Sequence, residues 1–193
     1  MTRRVSRHAH AGLPASGDLR VFYAIWPDAP ARHALHALAR QTAVEASGRA
    51  TAPGNLHLTL AFVGTVRLAQ VERFVAIGET IARSTSAFPL TLDRLGSFRA
   101  PGVVWLGARR TPAPLQAMVV TLGAALGGAG YAVDARMFKA HVTLARRCDA
   151  APSGTHVLFP ITWTVDALTL TASTLAPGGS HYRELARFGL GAT

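Results

Sequence analysis

The sequence predicts an α+β fold: a bilobal, duplicated structure of two mainly antiparallel sheets, with helices packed outside and a central cleft. Three observations predict it. Runs of β-branched and aromatic residues alternate with helical stretches opened by proline, and Gly- and Pro-bearing turns join several runs into hairpins. The order strand, helix, strand occurs twice. At 49% hydrophobic and 16% charged residues, the chain has enough apolar surface for a buried core. Its 193 residues fit one domain, or two small lobes that share an interface.

Residues 1–17 mix Arg, His, Gly, Ser and Pro without periodicity and read as a flexible N-terminal extension. Residues 18–193 are then a single domain of two pseudo-symmetric lobes. Residues 19–26 (LRVFYAIW) read as a strand. Asp28 and Pro30 open a helix to about residue 46, with Leu35, Leu38 and Ala39 on one face. Residues 56–63 (LHLTLAFV) read as a buried strand closed by Gly64, and residues 69–84 as an amphipathic helix. Residues 88–98 and 103–106 form a hairpin across Pro101 and Gly102. Pro112 and Pro114 introduce a helix that Gly127 and Gly128 end. Residues 131–133 suggest a short strand, residues 141–146 (HVTLAR) another, residues 162–175 one long strand and residues 182–188 the last.

Within this order lies a repeat. HLTL at 57–60 recurs as HVTL at 141–144, an offset of 84 residues. Each copy follows a strand and a proline-opened helix, and each precedes a strand holding Leu-Thr-Leu, at 90–92 and at 168–170. Such a pattern predicts two similar lobes about an approximate two-fold axis.

Charge and composition narrow the classes. With 20 basic and 10 acidic side chains the net charge is +10, which favours an anionic partner. All the basic residues except Lys139 are arginine, a bias that genome composition produces as readily as a ligand does. No apolar run approaches the ~20 residues of a membrane span, and residues 1–17 lack the apolar segment of a secretory signal. Cys148 is the only cysteine, which excludes an intramolecular disulfide and makes a reducing cytoplasm the expected compartment.

Alternate side chains of a strand share a face. His57 and Thr59 therefore point together, while Leu58, Leu60 and Phe62 point to the apolar side; His141 and Thr143 are likewise set against Val142 and Leu144. Lobes facing across a pseudo-dyad bring two imidazoles and two hydroxyls to one cleft. Opening a cyclic phosphodiester needs a base to deprotonate water and an acid to protonate the leaving alkoxide, and histidine serves either role near neutral pH. Threonine hydroxyls donate hydrogen bonds to the non-bridging oxygens as charge builds. The pattern calls for no metal and no cofactor: the ten acidic residues form no cluster at ligand spacing. A single match is weak, since a histidine on a strand is more often structural. A chain of this composition yields roughly 0.2 matches by chance, and two in about 1–2% of cases.

At these residues the sequence resembles the 2H phosphoesterases, and within them the RNA 2′,3′-cyclic phosphodiesterases, also called 2′–5′ RNA ligases. Residues 53–64 (PGNLHLTLAFVG) are similar to the family's first motif, residues 136–146 (RMFKAHVTLAR) to its second, and residues 175–185, with Pro177, Gly179 and Tyr182, to its C-terminal hairpin. Ala140 stands where the family usually has proline. The resemblance implies a bilobal fold with both motifs in its cleft. It makes His57 the proton donor to the leaving 3′-oxygen and His141 the acceptor that activates water, leaving a 2′-phosphomonoester; sequence alone leaves the two labels exchangeable. The implied substrate is an RNA or oligonucleotide with a 2′,3′-cyclic phosphate, acted on by a monomer, with reversible 2′–5′ ligation as a further activity. Alternatives are another cyclic phosphate or a 2′–5′ oligonucleotide at the same site, or an RNA-binding protein without turnover.

Arg136 and Arg146 flank the second motif as candidate phosphate contacts, or as solvated strand ends. Phe138 is a candidate for base stacking, or a core aromatic. Tyr182 is expected to pack within its hairpin. His33 and His36 lack a third ligand and read as surface residues, and Cys148 reads as inert.

Overall fold

The computed structural model describes residues 6–7, 17–100, 102–132, 137–152, 156–176 and 179–191. Strand β1 is the two-residue Ser6–Arg7. β2 (Asp18–Ile25) sends Val21, Tyr23 and Ile25 into the core and Phe22 and Ala24 to the opposite face. Helix α1 (Ala29–Glu45) starts where expected: Asp28 Oδ1 accepts from Ala31 N at 2.8 Å and Pro30 lies in the first turn. Ala31, Leu35 and Ala39 are its buried stripe. β3 (Arg49–Ala50) and a 3-10 turn (Pro53–Asn55) lead into β4 (Leu58–Arg67). A second 3-10 turn (Leu68–Gln70) precedes helix α2 (Val71–Arg83), which buries Val71, Phe74, Val75, Gly78 and Ile81. α2 lies so close to the last strand that a Cβ at Gly78 would overlap the Phe188 ring.

β5 (Phe88–Phe98) and β6 (Val103–Gly107) form the expected hairpin, followed by α3 (Ala113–Gly128), β7 (His141–Arg146), β8 (His156–Val165), β9 (Ala167–Ala176) and β10 (Gly179–Gly189). Two five-stranded sheets result, in the orders β1-β10-β9-β2-β4 and β3-β7-β6-β5-β8, and every ladder within them is antiparallel. Reading inward from each motif strand, β4-β2-β9-β10 matches β7-β6-β5-β8. The Leu-Thr-Leu strand that follows each His motif leaves its own repeat: β5 pairs with β6, and β9, which comes after β8, pairs with β2. The helices cross too, α1 lying on β7 and α3 on β4.

Three expectations are corrected. The run 162–175 is two strands in different sheets, broken at Asp166, whose carbonyl accepts from Leu190 N at 2.8 Å and whose carboxylate faces Arg187 at 3.3 Å. β4 does not stop at Gly64 but continues to Arg67, because Gly64 takes φ +94 and absorbs a bulge. Tyr131 and Ala132 belong to no strand; Tyr131 instead stands edge-on to Phe74 at 4.9 Å and accepts from Gln70 Nε2 at 3.0 Å. Val133 and Arg136 lie outside the described residues, as do residues 1–5 and 8–16 of the N-terminal stretch. Among the described residues no helix is long and apolar enough to cross a membrane.

Candidate active site

Leu56, Leu58 and Leu60 are buried while Asn55, His57 and Thr59 are half-buried, so period-two alternation places the first His–Thr pair on the face away from the core. On β7, Val142 and Leu144 are buried and His141 and Thr143 half-buried. β4 and β7 lie against each other, which brings the two pairs to one cleft.

Both imidazoles are held in the same way. His57 Nδ1 donates to the carbonyl of Asn55 at 2.8 Å, and His141 Nδ1 donates to that of Lys139 at 2.7 Å. Each carbonyl lies two residues before its histidine and can only accept. Nδ1 therefore carries the hydrogen in the neutral ring, and Nε2 keeps a free lone pair. At His57 the Thr59 hydroxyl donates to that lone pair at 3.1 Å. Ala140 does not disturb the second anchor: its own carbonyl accepts from Ala108 N at 3.0 Å, and the residue is buried.

Strand registers reveal a feature that alternation alone hides. Along β2–β4, Ala24 faces Thr59 and Tyr23 faces Ala61, so Leu60 is an extra residue. Along β6–β7, Trp105 faces Thr143 and Val104 faces Ala145, so Leu144 is extra. The bulges sit 84 residues apart, like the motifs. Each turns the residue five past its histidine onto the site face. Phe62 thus stands opposite Phe22, and Arg146 opposite Val103. Phe62 does not point to the apolar side: the residue is 59% exposed, and its ring lies 6.0 Å from that of Phe22. Arg146 is exposed, and its charge acts on both imidazoles.

Aromatic rings wall the histidines. Phe22 at 5.1 Å, Trp26 at 4.9 Å and Tyr182 at 4.8 Å surround His57, while Phe98 at 5.4 Å and Trp105 at 5.8 Å flank His141. Trp26 is fixed in turn, its Nε1 donating to Thr169 Oγ1 at 2.9 Å, and Thr169 donating to the Ala24 carbonyl at 3.0 Å. Asn55 Nδ2 donates to Ser180 O at 2.8 Å, tying the β9–β10 hairpin to the turn before His57. Tyr182 is therefore part of the site wall as well as of its hairpin.

Burial drives the His57 pKa down to about 4; the Asn55 carbonyl opposes the shift, and Arg146 and His141 add to it. His141 is lowered as well, chiefly by burial, against the Lys139 carbonyl and with Arg146 and Lys139. Among the described residues no three metal-ligating side chains cluster. Phe138 is half-buried against the core's edge. The surrounding rings were missed in the sequence, although the parity of β2 places Phe22 and Trp26 together.

Two sheets that each bring an anchored His and a Thr to a shared cleft define a two-histidine class of fold. The chain belongs to the 2′-5′ RNA ligase superfamily, whose family model matches residues 26–175. It is 34% identical over 174 residues to the RNA 2′,3′-cyclic phosphodiesterase of Escherichia coli K12, covering 89% of this chain and 96% of that protein. It is 32% identical over 182 residues to the protein of the same name from Thermus thermophilus, covering 89% and 90%. Among solved structures it resembles a phosphoesterase (TM-score 0.80, 32% identity, 90% of this chain and 99% of that one). It also resembles E. coli LigT complexed with 3′-AMP (TM-score 0.79, 32% identity, 90% and 99%).

Proposed function

We propose that this protein hydrolyses RNA 2′,3′-cyclic phosphates to 2′-phosphomonoesters by two-histidine acid–base catalysis. The observation that carries the reading is the matched pair of Nδ1 anchors, which leaves Nε2 of His57 and of His141 as the working atoms on one cleft. Water attacks phosphorus as its proton passes to His141 Nε2. The bond from phosphorus to the 3′-oxygen breaks, and that oxygen takes the proton of His57 Nε2. The more open imidazole suits the base, which must meet water; the one enclosed by three rings suits the acid at the leaving oxygen. The hydroxyls of Thr59 and Thr143 and the Arg146 guanidinium stabilise the charge on the non-bridging oxygens. The exposed face of Phe62 takes the terminal base. Arg136 and Phe138 are expected to line the same substrate. The protein acts as a monomer, in the cytoplasm.

Purified protein incubated with adenosine 2′,3′-cyclic monophosphate and a chelator should release 2′-AMP. His57→Ala and His141→Ala should each lower the rate by about 10²–10⁴-fold with the fold intact by circular dichroism. Full rate in either variant overturns the assignment.

A further inference from the structure

An RNA that ends in a 2′,3′-cyclic phosphate has all its other phosphates on the 5′ side of the reacting nucleotide. The rest of the chain must therefore leave the cleft by an open path. β2 marks one out. Its register with β9 is unbroken from Arg20 to Ala24, so Arg20, Phe22 and Ala24 share the site face. Ala24 lies opposite Thr59 of the first motif, and Phe22 opposite the exposed Phe62. One step further out, roughly 7 Å along the strand, Arg20 faces Thr65 on one neighbour and Ser173 on the other. Arg20 and Thr65 are exposed and Ser173 half-buried. At the other end of the row the Trp26 ring stands beside His57, while Tyr182 of β10, paired with Ser173, leans from Arg20's own row past Phe22 to His57. Asp18, the next acidic group outward, sits opposite Arg67.

We propose that Arg20, flanked by the hydroxyls of Thr65 and Ser173, is a subsite for the phosphodiester on the 5′ side of the terminal nucleotide, so that the site prefers an RNA chain to a mononucleotide. This rests on the phosphodiesterase reading. A guanidinium supplies the charge and forked donors that a phosphodiester needs, and two hydroxyls on the same row supply further donors. Arg20 lies three rows from Trp26, beyond the base platform, and so touches neither the reacting phosphorus nor the histidines. Its contribution appears in binding the chain and leaves the chemical step alone.

The test compares adenosine 2′,3′-cyclic monophosphate with a diadenosine and a tetra-adenosine oligonucleotide ending in the same cyclic phosphate. Wild type should show a kcat/KM roughly tenfold higher for the oligonucleotides. Arg20→Gln should remove most of that advantage and keep the mononucleotide rate within twofold, which also reports an intact fold. The variant's oligonucleotide kcat/KM should lose about 0.7 from its slope against log salt. Equal loss on all three substrates, or no loss on any, overturns the subsite while leaving the phosphodiesterase reading in place. No turnover of any substrate by wild type overturns that reading and the subsite with it.

Discussion

A backbone carbonyl fixes the tautomer of each histidine, and the rings around it set its acidity. In the free protein burial keeps His57 and His141 neutral near pH 7, since both pKa values fall below the ordinary 6.5. A bound phosphodiester brings negative charge to both rings and raises both values. The bell-shaped profile of kcat should therefore centre at higher pH than that of kcat/KM, which reports the free protein. Superimposed bells would show that substrate charge does not load the acid. The Thr169–Trp26 hydrogen bond offers a second handle at the same scale. Thr169→Val keeps the shape of a buried side chain but strips the indole of its acceptor and the Ala24 carbonyl of a donor. The loosened Trp26 should admit water to His57 and move its pKa up from about 4 toward 6.5, read by NMR titration of the ring. An unmoved titration would mean that Trp26 only packs.

At the scale of elements, the motif strands show how far sequence pattern reaches. Leu56, Leu58 and Leu60 alternate with His57 and Thr59, so the catalytic candidates and their facing were legible. Phe62 was not, because a bulge is decided by pairing with β2, and nothing in LHLTLAFV records the partner's register. The break at Asp166 was hidden for a similar reason: residues on both sides favour strand, and only the tertiary bonds to Leu190 and Arg187 divide them. Gly64 was a visible signal that pointed to the wrong event, marking a kink in a continuing strand. Its φ of +94 makes the cost of a side chain purely conformational, since a Cβ there would meet nothing within 4 Å. Gly64→Ala should lose about 1–2 kcal/mol, a fall in Tm of roughly 2–8 °C. Gly54→Ala, also in open space but without positive φ, should leave Tm almost unchanged. Equal shifts in the two variants would show that the bulge at Gly64 is not strained by a side chain.

For the whole molecule, the consequence of the repeat is that neither half is a folding unit. A fragment ending at Ala100 keeps β2 and β4 but loses β9, which pairs with β2. Its β5 loses both partners, β6 and β8. Helix α1 loses β7, the strand it covers, and in the other fragment α3 loses β4. Each half would thus expose an apolar helix stripe and unpaired strand edges, which costs more than its remaining contacts return. Fragments 17–100 and 102–193 should each lack a cooperative thermal transition. Mixed at equal concentration they should regain one, together with turnover of the cyclic phosphate, because the cleft needs His57 from one and His141 from the other. The intact chain should melt in a single transition seen alike by far- and near-ultraviolet circular dichroism. A cooperative transition in fragment 17–100 alone would contradict the interleaving. The crossing that denies each half its own core is also what positions the site: β9, carried across to β2, holds Trp26 through Thr169, and β10 brings Tyr182 to His57.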